Sequence, residues 1–344
     1  MKKILFLVFF CPLFVSAQKQ LTDSNYRVYS VKLNKEVSLG DIVKDMANYD
    51  VLFLGEEHND SVTHFLEKTM LGLLYNEYKT NVVLSMEMFE RDVQPVMNEY
   101  LKGFITERYF KRDARVWSNY RDYRPMVEFA KEKGLDVICA NAAARYTSLA
   151  GRKGQQALLT LPDVSKDFIA PLPYDTATGA YYAKLTALPK HDTVVVKAKR
   201  NDKDKDKAKP VDPMAGMGSF NLVVAQSLWD ATMAYSIAEY RRQSYENKMK
   251  KIMQVNGRFH SDEGFAVVTQ LKNHSPRTRS LIISTADDEH FPNIKWDDYK
   301  KNGDYIIITD PKVPKTYSDG PPKEKEKEKV AKEKKKAKKA KRKK

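Results

Sequence analysis

The chain has 344 residues, 42% hydrophobic, 11% aromatic and 31% charged, which supports a sizeable core and excludes a fibrous or wholly disordered polymer. Its formal charge of +15 sits mostly at the ends: Lys323 to Lys344 holds 14 Lys/Arg against 4 Glu, and Lys2 and Lys3 add two more. The body between them carries only about +3, so its charge gives no argument for nucleic acid or another polyanion.

The first 17 residues carry two lysines, an apolar run from Ile4 to Val15, and Ser16-Ala17 before Gln18. This is the pattern of a secretory signal, with cleavage expected after Ala17. The run is too short for a stable transmembrane anchor. The expectation is an exported protein, periplasmic, associated with the outer membrane, or secreted. Cys11 follows Phe9-Phe10, whereas a lipoprotein site needs small residues before the cysteine, so no lipid anchor is expected. Loss of the leader leaves Cys139 alone, and no intramolecular disulfide can form.

From Asp41 onward, apolar runs of strand length alternate with segments of helical period, the signature of βα units. Strands are expected at Tyr49 to Leu54, Asn81 to Met86, Leu135 to Ala140, Lys251 to Asn256, Leu281 to Ser284 and Tyr305 to Thr309. Helices are expected at His64 to Tyr75, Tyr123 to Lys133 (closed by Gly134) and Ser219 to Lys250. The fold class is therefore α/β: a three-layer single domain over residues 18–318, with a largely parallel central sheet flanked by helices. Lys197 to Pro213 is almost free of apolar residues and reads as a disordered insertion. The lysine-rich tail, residues 319–344, reads as a solvated appendage or a contact for an anionic surface.

Ligands of an open parallel sheet sit beyond the carboxyl ends of its strands. Here the first strand ends in Gly55-Glu56-Glu57-His58, the second in Glu87, the third in Asn141 and the fourth in Gly257-Arg258-Phe259-His260. In each Gly-x-x-His turn the glycine is expected to permit a tight exit from the strand, with the histidine over the sheet edge. His58, Glu87 and His260 match the ligand count of a catalytic site for a divalent metal such as zinc or manganese, with Glu56 or Glu57 placed to orient a water. On the long helix, Gln226, Asp230 and Met233 share a face beneath that edge, and the two polar ones need partners. Trp229 and Met233 are expected in the core, as is Cys139.

Five ordered runs, VLFLGEEHND, SMEMFERDVQP, WSNYRDYRPMVEFAKEKGLDVICANAAARY, AQSLWDATMA and NGRFHSDEGFAV, resemble the ChaN-like haem-binding uptake proteins. That family is similar, through its Gly-x-x-His turns and glutamate, to the Tiki metalloproteases and erythromycin esterases. The resemblance spans roughly Asp41 to Leu271. It implies haem (iron-protoporphyrin) binding in iron acquisition, tyrosine ligation of the iron, and haem held where two subunits of a homodimer meet. It also implies a pocket signature of Gly55, Glu56, His58, Glu87, Gly257 and His260, surrounded by Asp92, Gln94, Trp117, Tyr120, Tyr123, Pro125 and Asn141. Many members of the family are lipoproteins, from which this chain departs.

A phenolate suits ferric haem, but a tyrosine must first lose its proton, displaced by the iron or helped off by a neighbouring cation. Tyr123 is the first expectation for the iron ligand and Tyr120 the second, with Arg121 and Arg124 as flanking cations. A histidine is the alternative, as axial ligand or propionate partner. Three functions stay open: a non-enzymatic haem-binding uptake protein, which would work with an outer-membrane haem or iron receptor; a metal-dependent hydrolase using His58, Glu87 and His260; and an exported scaffold whose basic tail makes the contact.

Overall fold

The computed structural model describes residues 21–187 and 220–317. The leader at 1–17 with Cys11, the insertion at 197–213 and the tail at 319–344 lie outside the described residues. In chain order the elements are β1 (Tyr26–Ser30), β2 (Lys35–Val37), α1 (Leu39–Asp45), β3 (Val51–Glu56), α2 (Ser61–Tyr78), β4 (Val82–Glu90), α3 (Gln94–Leu101), α4 (Glu107–Asp113), α5 (Tyr120–Lys133) and β5 (Asp136–Asn141). They continue with α6 (Ala144–Lys153), α7 (Asp163–Lys166), α8 (Gly179–Ala187), α9 (Leu222–Arg242), α10 (Tyr245–Met249), β6 (Lys251–Gly257), α11 (Ala266–His274), β7 (Ser280–Asp287) and β8 (Tyr305–Thr309).

The strands form one eight-stranded sheet in the order β2-β1-β8-β7-β3-β6-β4-β5. Six of them, β8 to β5 in that order, run parallel, and these are the six expected from the sequence; β1 is antiparallel to both β2 and β8. A strand covered on both faces must be apolar on both, and every residue of β3 (VLFLGE) is buried. Leu52 and Leu54 point into one core with α2 and α5, while Val51 and Phe53 point into the other with α9 and α11. The layers are helix, sheet, helix.

Helix boundaries follow local chemistry. Asp60 caps α2 by accepting from the amides of Val62 and Thr63. Gly134 closes α5 in the left-handed conformation, at φ 66°. The expected helix 219–250 is two: α9 ends at Arg242, and Ser244 caps the short α10 by accepting from Asn247 N. Met233 is fully buried, Trp229 packs against the core, and Cys139 is a buried free thiol. None of the described helices is long and apolar enough to cross a membrane.

The positioning feature is the place of β6. Chain order takes β3 to β4, but β6 inserts between them, so β3 and β6 are parallel neighbours in which Gly55 pairs with Asn256 and Glu56 with Gly257. Both Gly-x-x-His turns therefore leave the sheet side by side.

Candidate functional site

Neither glycine of these turns is needed for a positive φ. Gly257 has φ −52°, and both are glycine because something lies where a β-carbon would stand. At Gly55 that carbon would come within 2.8 Å of the Arg258 Cα and 2.9 Å of Ser261 Oγ; at Gly257 it would come within 2.8 Å of His58 Nε2. The expected tight-turn role is thus replaced by close approach: backbone against backbone at Gly55, an imidazole laid on the strand at Gly257.

His58 Nδ1 lies 2.8 Å from Glu56 Oε1, and its ring is edge-on to Trp117 at 5.5 Å. With 36% of its side chain exposed, it presents the site to solvent. Burial alone would favour the neutral ring, but the bond to Glu56 overrides it and pushes the His58 pKa up to about 9.

His260 is buried. Its Nδ1 is 2.5 Å from Asp230 Oδ1, its Nε2 is 3.4 Å from Glu87 Oε1, and the Gln226 amide lies 3.2 Å from the ring. Asp230 also accepts from Tyr181 Oη at 2.7 Å, and Glu87 Oε2 accepts from Gly257 N at 2.7 Å. The register of β4 against β5 is irregular between Met86 and Glu90, the stretch that holds Glu87. Burial opposes charge on His260, yet Glu87 and Asp230 more than offset it and push its pKa up to about 10. His260 sits between two carboxylates that favour its charged form, with both nitrogens committed. Gln226 and Asp230 have the supporting position expected of them, whereas Met233 Sδ meets Gln254 Nε2 at 3.6 Å.

The expected metal trio of His58, Glu87 and His260 is therefore linked through Glu87 rather than gathered around one point. Among the described residues, the set whose ligand atoms lie within 4.8 Å of one another is Glu56, His64 and Glu67. Glu57, the other expected water-orienting group, faces away and pairs with Arg258 at 3.1 Å.

Tyr123 is fully buried, and its hydroxyl donates to Glu56 Oε1 at 2.8 Å. Burial raises its pKa well above the ordinary value, and Glu56 and Glu67 raise it further. Tyr120 is buried against Phe89 and Phe110, where burial again holds the phenol protonated. The expected cations do not reach either hydroxyl: Arg124 pairs with Glu107 at 2.7 Å, and Arg121 donates to the Thr316 carbonyl at 2.7 Å. Neither Tyr120 nor Tyr123 thus presents an exposed phenolate, while the His58 imidazole, backed by a carboxylate, is partly exposed beside Trp117.

The surrounding motif residues mainly build the frame. Gln94 braces the edge strand β5, donating to the Val137 carbonyl at 2.8 Å and accepting from Cys139 N at 2.8 Å. Asp92 holds Arg115 and Arg145 at 2.5 and 2.6 Å. Asn141, buried at the end of β5, accepts from Ala142 N at 2.9 Å. Pro125 lies inside α5. The sequence reading missed His64 and Glu67, although the spacing His-x-x-Glu just after the Asp60 cap places both on one face of α2, and it missed Tyr181 and Arg258.

The sequence profile of the family described as haem-binding uptake, Tiki superfamily, ChaN matches residues 42–271. The solved structure of cofacial haem binding to ChaN of Campylobacter jejuni superposes with a TM-score of 0.58 at 14% identity, covering 83% of this chain and 98% of that one. The structure of the type III effector HopBA1 gives a TM-score of 0.39 at 12% identity, over 79% of this chain and 94% of that one. No curated protein matches the chain.

Proposed function

The chain belongs to the haem-binding uptake family of ChaN, in the Tiki superfamily, and on that footing we propose that it binds haem at the β3/β6 strand ends in iron acquisition. The observation that carries this reading is the placement of both Gly-x-x-His turns within the matched segment, with the His58 ring partly exposed beside Trp117 and its Nδ1 fixed by Glu56.

Bound haem would supply a ferric iron that takes a nitrogen donor. His58 would hold it, Glu56 setting the ring's orientation and raising its basicity. Arg258, at the same rim, is a cation of the kind that pairs with propionates. Ligation by Tyr123, the first expectation from the sequence, requires its hydroxyl to leave Glu56 and reach the surface. The proposal includes export through the leader and, since the Campylobacter jejuni ChaN structure is one of cofacial haem binding, a homodimer in which two such rims meet. A receptor or anionic surface would be met by the lysine-rich tail.

The test is a haemin titration of the full chain followed by visible absorbance. Saturable binding with a Soret shift, lost in His58→Ala, is the expected result. Unsaturable binding, equal in wild type and His58→Ala, would sink the proposal.

A further inference from the structure

Glu67, on α2, is fully buried, and neither of its carboxylate oxygens has a hydrogen-bond partner among the described residues. Facing it, Glu56 is 1% exposed; its Oε1 is taken by His58 and Tyr123, while its Oε2 has no hydrogen bond. His64 lies one turn before Glu67 on the same helix face. Its Nε2 stands 3.1 Å from Glu56 Oε2 without the alignment of a hydrogen bond, and its Nδ1 is likewise unpartnered. These ligand atoms all lie within 4.8 Å of one another.

Two buried carboxylates side by side, each with an oxygen that accepts no hydrogen bond among the described residues, are costly to bury. One dication would neutralise both carboxylates and accept a lone pair from the imidazole beside them. Two carboxylates and one imidazole suit zinc, manganese or ferrous iron better than calcium, which takes more oxygens, or copper(I), which prefers sulfur. We propose that Glu56, His64 and Glu67 form a site for a single divalent first-row transition ion, distinct from the strand-end trio and independent of haem. Such an ion ties α2 to the end of β3. It also fixes the carboxylate on which His58 and Tyr123 both rest.

The experiment is elemental analysis of the full chain, purified free of any Soret band so that haem iron is not counted. Chelation and titration with zinc or manganese follow, in wild type, Glu67→Gln, Glu67→Asp, His64→Ala and His260→Ala. The expected result is one metal per chain in wild type and His260→Ala, with affinity falling at least about tenfold in Glu67→Gln and His64→Ala. Should Glu67→Gln fail to fold, Glu67→Asp, one methylene shorter, serves in its place.

The proposal is overturned if wild type neither contains nor binds stoichiometric metal. The two carboxylates then share a proton, seen as a carboxylic-acid carbonyl stretch in the infrared. It is equally overturned if binding survives in Glu67→Gln and disappears in His260→Ala, which would put the ion at the strand-end trio.

Discussion

Replacing Gly257 by alanine inserts a methyl group 2.8 Å from His58 Nε2 and 3.0 Å from its Cε1. The backbone there, at φ −52°, accepts alanine without strain, so the whole effect falls on the imidazole. The ring is 36% exposed and can swing outward, but doing so breaks its 2.8 Å contact with Glu56 and lifts it from Trp117. Overpacking costs about 1–3 kcal/mol, and solvation of the freed ring returns part of the lost hydrogen bond, so a net loss of about 2 kcal/mol is expected. Haemin affinity should fall more than about tenfold, because the displaced ring is the one proposed to hold the iron. Gly55→Ala is the informative contrast: its methyl meets the Arg258 backbone at 2.8 Å, which cannot swing aside, and a loss above about 3 kcal/mol or failure to fold is expected. Urea unfolding and haemin titration of both variants decide the matter. Wild-type haemin affinity in Gly257→Ala, or a Gly55→Ala protein as stable as wild type, would refute the close-approach reading.

Asp60 accepts from Val62 N, Thr63 N, Thr309 Oγ1 and Lys315 Nζ, at 2.7 to 3.0 Å. Asp60→Ala should therefore cost about 3 kcal/mol in urea unfolding, with Asp60→Asn retaining part of the cap. Tyr181→Phe removes the hydroxyl donated to buried Asp230 and should cost about 1–2 kcal/mol by the same measurement. His260 binds its proton more tightly folded, with a pKa of about 10, than unfolded, at an ordinary 6.5. Its ion pairs thus contribute fully below pH 6.5, and the contribution is lost as pH rises through about 10. Unfolding free energies across that range should decline in wild type, and the decline should move to lower pH in Asp230→Asn, which has one carboxylate fewer around the ring. A flat wild-type profile would contradict the imidazolium assignment.

The parallel part of the sheet was legible because strands covered on both faces must be continuous apolar runs, as in VLFLGE and YIIIT. The β1–β2 hairpin was not. YRVYS and KEV are short and carry little apolar pattern, and they gain strand character by pairing, β1 with β8 and β2 with β1. The two Gly-x-x-His turns were found from spacing, but the reason for their glycines lies across strands that are about 200 residues apart in sequence and adjacent only in the sheet. Gln226 and Asp230 stood out as polar residues on an apolar stripe, and they do hold His260. Tyr123 is buried for a reason the sequence also contains: with Met126, Val127 and Ala130 it forms the buried stripe of α5. Arg124, one position on, falls on another face, where it pairs with Glu107. The buried pair His64 and Glu67 was hidden by reading α2 as an apolar stripe alone.

The most direct measurement is electron paramagnetic resonance of the ferric haem complex of the full chain, with His58→Ala and Tyr123→Phe beside wild type. Ligation at the open strand-end imidazole predicts one imidazole-ligated signature shared by wild type and Tyr123→Phe and lost in His58→Ala. A wild-type signature kept in His58→Ala and abolished in Tyr123→Phe would contradict it and move the iron to the phenol.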